Sequence, residues 1–230
     1  MQLSTFLFLV FLALVFLIQQ CFPKKLCWIW LLAASYAFCA FADYRFALVL
    51  LGVTLAAYFM GLLIARAGER RYKRVFLWTG ILVSLGVLFS FKYLNFSLNV
   101  LEDLLKLLGA PRDLPVYQWL MPLGLSFYTF QVISYLLDVY NGVIQPERNA
   151  GKFALYLAFF PKLISGPIER ADHLLPQITR PNPFDYQKFV AALLRIFWGF
   201  FKKLVIADRL AVLVGTVFGS PAEYYAPQSL

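Results

Sequence analysis

The sequence predicts an all-α fold, a polytopic integral membrane protein with about 6–8 membrane helices or re-entrant segments. Three observations predict it. Of 230 residues, 61% are hydrophobic and 14% charged, where a soluble domain is about half apolar and about a quarter charged. Mean hydropathy is +0.71. The apolar residues also fall into long runs divided by short charged segments. A water-soluble fold of this size has too little interior for so much apolar surface. The same figures exclude disordered, collagen-like and disulfide-rich secreted classes.

The runs follow in order. Leu3 to Phe22 gives a first span (3–22), and Lys24 and Lys25 close it. The first 23 residues hold no Lys or Arg, and no small-x-small cleavage site follows, so the run reads as a retained span rather than a signal peptide. Leu26 to Ala42 is the second span (26–42). Asp43-Tyr44-Arg45 is a turn, and Phe46 to Ala65 is the third span (46–65). Arg66 to Arg74 carries five basic residues and one acid. Val75 to Phe91 is the fourth span (75–91). Basic residues mark cytoplasmic loops. That rule places 66–74 in the cytoplasm, 43–45 outside, Lys24 and Lys25 inside and the N-terminus outside. The net charge of +9 is thus used on orientation. The expected partner is a lipid bilayer, and nucleic acid is not expected.

Beyond Lys92, Leu98, Leu101, Leu104, Leu105 and Leu108 recur at helical spacing, as in an amphipathic helix lying on the bilayer. Gly109-Ala110-Pro111 ends it. A fifth membrane segment, 118–140, differs in composition. On a helix, Tyr128, Gln131, Tyr135 and Asp138 fall within about 80° of one another. Such a stripe is costly against lipid, so it should face protein or a watery cavity. Spacing alone leaves interhelical hydrogen bonding and cavity lining as equal alternatives. Phe153 to Phe160 is apolar but too short to span. With Pro161, Lys162 and Ser165-Gly166-Pro167 after it, 153–167 reads as a re-entrant or buried segment. From Ile168 to Lys188, Pro176, Pro181 and Pro183 forbid a long helix. A last membrane helix is expected at 189–207, with Arg195 and Lys202 on one face, then a short apolar run from Leu210 to Phe218. Gly215 and Gly219 have the spacing of a helix-packing pair.

Motifs for chemistry are sparse. Cys21, Cys27 and Cys39 lie in or beside apolar runs without C-x-x-C pairing, so buried free thiols are expected, with neither zinc nor disulfides. There is no H-E-x-x-H, Walker A or G-x-G-x-x-G, and neither a metal nor a bound cofactor is expected. The one histidine, His173, follows Asp172 in a polar stretch and reads as a solvated or hydrogen-bonded residue. The stretch Phe159 to Arg170 says more. Pro161, Gly166 and Pro167 fix a bent backbone, and Glu169 and Arg170 place opposite charges on that bend. A charged pair at the membrane surface, a buried ion pair and an anion site at Arg170 are all open on spacing.

Two of these stretches carry a resemblance. Ser126 to Gln131, continuing through Ser134 to Gly142, resembles one signature of the membrane-bound O-acyltransferase (MBOAT) family. Phe159 to Arg170, followed by His173 to Gln177, resembles its second signature. Gly199, Lys202-Lys203 and Ile206-Ala207-Asp208 are similar to the helix that comes next. The alginate O-acetyltransferase-like branch is the nearest, with the teichoic-acid D-alanyl branch close by. The resemblance is clearest from about 118 to 210 and implies that 1–230 is an N-terminal portion of a single membrane domain. It implies helices around a tunnel in a bacterial inner membrane. An acetyl donor from the cytoplasm would pass its acyl group to a hydroxyl of an exported cell-surface polysaccharide such as alginate, with polysaccharide-acetylation proteins as partners. Tyr128, Gln131, Tyr135, Asp138, Pro161, Gly166, Pro167, Glu169 and Arg170 would line or brace the acyl path. The family's catalytic histidine lies beyond Leu230 and is not His173, so this chain alone is expected to be inactive. D-alanyl transfer to teichoic acid, and a transporter or non-catalytic membrane subunit, are the alternatives.

Overall fold

A computed structural model describes residues 6–23, 25–108, 115, 117, 120–164, 166–179 and 184–219. The start of the 3–22 run, Lys24, the Gly109–Pro111 turn, residues 118–119, Ser165, Pro181 and Pro183 lie outside them. The described residues form helices and no strand. The chain divides into two compact units, Met1–Pro181 and Asn182–Leu230.

The first unit opens with α1 (Phe6–Cys21) and α2 (Cys27–Ala42), both apolar and 16 residues long. α3 (Tyr44–Arg66) and α4 (Arg70–Lys92) follow. Among the described residues these two are long and apolar enough to cross a membrane, with mean hydropathies of 2.4 and 1.8. Asp43 makes the sharp α2–α3 junction. Its extended backbone ends α2, and its carboxylate accepts the Arg45 N–H at 2.8 Å as the N-cap of α3. The basic segment is not the loop expected from 66 to 74. Its second half, Arg70–Arg74, is already the first turns of α4, because Arg and Lys are good helix formers.

α5 (Leu94–Leu107) is amphipathic as its spacing predicts, and none of its residues is buried. α6 (Leu125–Tyr140) is shorter than the 118–140 run, because Gly124 enters it with φ +69°. Glycines on two neighbours seat α6. A Cβ on Gly61 of α3 would lie 2.8 Å from the Tyr135 ring, and one on Gly80 of α4 would lie 2.6 Å from Leu136 Cδ1. Small residues let helices meet this closely.

The expected re-entrant segment resolves into α7 (Ala150–Ala158) and α8 (Phe160–Leu163), broken at Phe159. Six consecutive residues, Phe153 to Ala158, are buried. A helical stretch that is apolar on every face is buried on every face, and Phe153 to Ala158 is such a stretch. Phe160 packs edge-on to Phe8 and Phe11 and against Phe38, tying α8 to α1 and α2. α9 (Ala171–Thr179) carries Pro176 inside it. The polar stretch therefore holds a short helix, since one proline this near a helix end removes a single backbone bond. Of the three thiols only Cys39 is buried. Cys27 is half-buried and Cys21 exposed, so the expectation of three buried thiols fails for an apolar surface that has no protein neighbour.

The second unit contains α10 (Tyr186–Phe201), a π-helical turn (Lys202–Ala207) and α11 (Asp208–Gly219). The π turn sits inside the stretch read as one helix, 189–207. The Asp208 N–H bonds the Lys203 carbonyl, five residues back. The Lys203 ammonium meets the Asp208 carboxylate at 2.9 Å, so side chains and backbone share the same five-residue step. An added Cβ at Gly215 meets nothing within 4 Å, so no described neighbour packs on it.

Candidate functional site

The polar stripe of α6 lies inside the first unit. Tyr128, Gln131, Tyr135 and Asp138 are all buried. Their helix is placed by the close approaches at Gly61 and Gly80, which turn one face of α6 toward α7 to α9. Polar groups held there need partners, and three of the four have them. Gln131 Nε2 donates to the Tyr156 carbonyl on α7 at 2.9 Å. Tyr135 Oη accepts the Glu147 N–H at 3.2 Å. Asp138 Oδ1 accepts from Arg170 Nη2 at 2.8 Å. Tyr128 Oη has no hydrogen-bond partner among the described residues, and neither has Asp138 Oδ2. Of the two readings left open by spacing, hydrogen bonding between elements accounts for Gln131, Tyr135 and Asp138.

The bend after α8 follows from its sequence. Pro161 stands in the first turn of α8, where a missing N–H costs nothing. The Gly166 N–H returns to the Lys162 carbonyl at 2.9 Å. A Cβ at Gly166 would lie 2.5 Å from Lys162 Cα, so this return admits only glycine. After Pro167 the chain runs on outside any helix to Glu169 and Arg170. The Tyr156 hydroxyl donates to the Glu169 carbonyl at 3.0 Å, pinning the end of the bend to α7.

The two charges on the bend part ways. Arg170 reaches back 32 residues to Asp138 and stays half-exposed, while the carboxylate it meets is buried. Glu169 turns instead to His173, 3.2 Å from Nδ1. Gln177 Nε2 lies 3.3 Å from the other ring nitrogen. One tautomer satisfies both contacts: Nδ1–H donates to Glu169, and Nε2 accepts from Gln177. His173 is largely exposed and stands apart from the buried stripe.

Residue-level reading of the sequence missed Lys162, Tyr156 and Gly124 as parts of this cluster. Lys162 is 8% exposed, and its ammonium lies 4.7 Å from the centre of the Tyr156 ring. A cation over an aromatic face is attracted by the ring quadrupole. Its Nζ has no hydrogen-bond partner among the described residues. Lys162 and Tyr128 border a cavity of about 10 Å³, with Gln131 and Pro167 beside them. That is room for about one water molecule and for no acyl chain. The signal for Lys162 was a single ionisable residue inside an apolar run, which marks a site by default. Gly124 closes the cluster from below. Besides its positive φ, a Cβ there would collide with the Leu163 carbonyl oxygen of α8. No group of three or more potential metal ligands occurs among the described residues.

The cluster is therefore a brace. Hydrogen bonds and one ion pair run from α6 to α7, to the bend and to the start of α9. Comparison with known proteins places it in context. The chain is 40% identical over 216 residues to the probable alginate O-acetylase AlgI of Pseudomonas aeruginosa, covering 93% of this chain and 40% of that protein. It is 32% identical over 216 residues to the peptidoglycan O-acetyltransferase of Helicobacter pylori, covering 83% of this chain and 39% of that one. A shorter match, 32% over 109 residues, links 46% of the chain to the teichoic acid D-alanyltransferase of Lacticaseibacillus rhamnosus. No family model and no solved structure matches the chain. The chain spans about two fifths of the length of the first two relatives.

Proposed function

We propose, starting from a chain homologous over 93% of its length to an alginate O-acetylase and so related to the acyltransferases its two signatures resemble, that it is part of a membrane O-acyltransferase acetylating an exported cell-surface polysaccharide. The observation that carries this reading is the 216-residue match at 40% identity. Alginate is the first acceptor to try, because that is the polymer named for the relative. The protein sits as a multi-pass protein in a bacterial inner membrane, with the 66–74 segment cytoplasmic and the N-terminus outside. An acetyl donor on the cytoplasmic side supplies the group, and polysaccharide-acetylation proteins assist.

The part played by these residues is positioning. Gln131, Asp138 and Tyr156 hold the bend at 164–170 against α6 and so fix one wall beside the acyl path. Removing a proton from an acceptor hydroxyl calls for a base with a near-neutral pKa, and imidazole suits that work. The resemblance matches the family's catalytic histidine to no position of this chain, His173 included, so the base is assigned to a histidine outside it. Residues 1–230 alone then transfer no acetyl group.

The test is complementation of a strain lacking its own polysaccharide O-acetylase with the whole protein. Acetyl esters on the exported polymer are counted by proton NMR. Wild type should restore them. Arg170→Ala and Asp138→Asn should lower them about ten-fold or more, with Arg112→Ala and His173→Gln within about two-fold of wild type. Polymer without acetyl esters, or equal losses from Arg170→Ala and Arg112→Ala, would overturn the reading. The teichoic acid match supports one alternative, D-alanyl transfer, and the same spectra would then show alanyl in place of acetyl esters. A transporter would instead move solute into proteoliposomes.

A further inference from the structure

At the far end of α3 from Asp43, a cavity of about 650 Å³ opens between the helix and the loop after α6. Tyr58, Leu62, Ala65 and Arg66 line it from α3, with Gln145, Pro146 and Arg148 from the loop. The loop is held in place by two tyrosines. Tyr58 Oη donates to the Arg148 carbonyl at 2.6 Å, and Tyr135 Oη accepts the Glu147 N–H at 3.2 Å. These bonds hold the loop backbone, and Arg148 lines the cavity from the loop as Arg66 does from α3. Neither arginine has an ion-pair partner among the described residues. The neighbouring acid is turned away, because the Glu147 carboxylate accepts the Asn149 N–H at 2.8 Å. Arg70 and Arg74 face the Tyr140 hydroxyl and do not line the cavity. α3 has 23 residues, about 34 Å at 1.5 Å per residue, slightly more than the hydrocarbon thickness of a bilayer. On the membrane placement proposed above, on which this inference rests, Arg66 ends at headgroup depth, with an apolar helix below it and a cavity of mixed polarity above.

We propose that this cavity is a binding site for a phosphate-bearing anion, the headgroup phosphate of an anionic membrane lipid or a free phosphate. Two arginines lining one space can present several N–H donors to tetrahedral oxygens, and guanidiniums match phosphate as forks rather than as point charges. Gln145 can meet the remaining polar atoms of the headgroup. The apolar flank of α3 at Leu62 and Ala65 suits the start of an acyl chain. Basic pockets between helices at a membrane surface take such headgroups. The proposal does not depend on acetyl transfer.

The test uses the purified chain in detergent, with native mass spectrometry of added phosphatidylglycerol, phosphatidylcholine and inorganic phosphate. Wild type should retain phosphatidylglycerol over phosphatidylcholine. Arg66→Gln with Arg148→Gln should weaken that retention about ten-fold or more, and Arg66→Lys with Arg148→Lys by less. A control pair, Arg45→Gln with Lys92→Gln, removes the same charge at the opposite ends of α3 and α4 and should stay within about two-fold of wild type. Circular dichroism of each variant confirms that helicity is kept. Retention of inorganic phosphate with the same arginine dependence, and no lipid preference, would assign the site to a free anion. Equal losses in both double variants, or no wild-type preference for either probe, would overturn the proposal.

Discussion

α6 and α10 are both 16 residues long, and both set polar groups into an apolar background at helical spacing. Nine residues of α6 are buried and none of α10 is. The difference lies in what stands beside them. α3 and α4 offer α6 a glycine each, at Gly61 and Gly80, and the Tyr135 ring and Leu136 fill the space. α10 carries its own glycine, Gly199, with nothing within 4 Å of an added Cβ. Its aromatics pack along the helix, as Trp198 does on Phe201 with centroids 5.3 Å apart. Amphipathic pattern marks which face of a helix wants a partner. Small residues on the partner decide whether the face gets one.

The contrast can be broken most forcefully at Gly124. Gly124→Ala combines a left-handed backbone with a collision against the Leu163 carbonyl. The expected loss is about 3 kcal/mol or more, seen as a large fall in melting temperature by circular dichroism in detergent. Gly61→Ala comes next. A Cβ there would lie 2.8 Å from the buried Tyr135 ring, which must shift to clear it, at about 1–3 kcal/mol. That shift should also loosen the Glu147 contact and raise amide exchange there. Gly199→Ala should go the other way, stabilising by up to about 1 kcal/mol, because α10 gains helix propensity and loses no packing. A Gly199→Ala variant as damaging as Gly61→Ala would mean that α10 is closely packed in solution and would erase the comparison.

The smallest effect is at the start of α10. The Lys188 N–H donates to Asp185 at 3.1 Å and holds its carboxyl below the usual aspartate range. A depressed carboxylate stabilises the fold above its unfolded pKa, and that contribution is lost as pH falls through the folded value. Protection of the Lys188 amide, corrected for intrinsic exchange, should therefore fall below about pH 4. Asp185→Ala should lack that protection at every pH. An unchanged profile in that variant would remove the cap from the account.

Much of the helix order was legible because long apolar runs leave few choices. α3 and α4 were read within two to five residues of their ends, and the error at α4 came from treating basic residues as loop. The buried stripe was legible from the spacing of Tyr128, Gln131, Tyr135 and Asp138. The pairing of Asp138 with Arg170 was not, because the partners stand 32 residues apart and Glu169 offered a nearer acid. Lys162 was visible as an interruption, but nothing in its own segment shows that the Tyr156 ring lies over it. Cys21 was misjudged for the opposite reason. An apolar neighbourhood in sequence does not supply a protein neighbour in the fold.

The π turn after α10 has a consequence for sequence length. It holds one more residue per turn than an α-helix, so α11 leaves it rotated by roughly 100° from where an unbroken helix would point. Deleting one residue between Lys202 and Ala207 would restore an ordinary turn and leave both helices intact. It would leave Leu210 and Leu213 close to their present bearing, because the wide turn already takes up one extra residue, and would set Lys203 and Asp208 four apart, the spacing at which such a pair still meets on an ordinary helix. In this stretch a length change of one residue is absorbed by exchanging a wide turn for an ordinary one, and the helices on either side keep the faces they present.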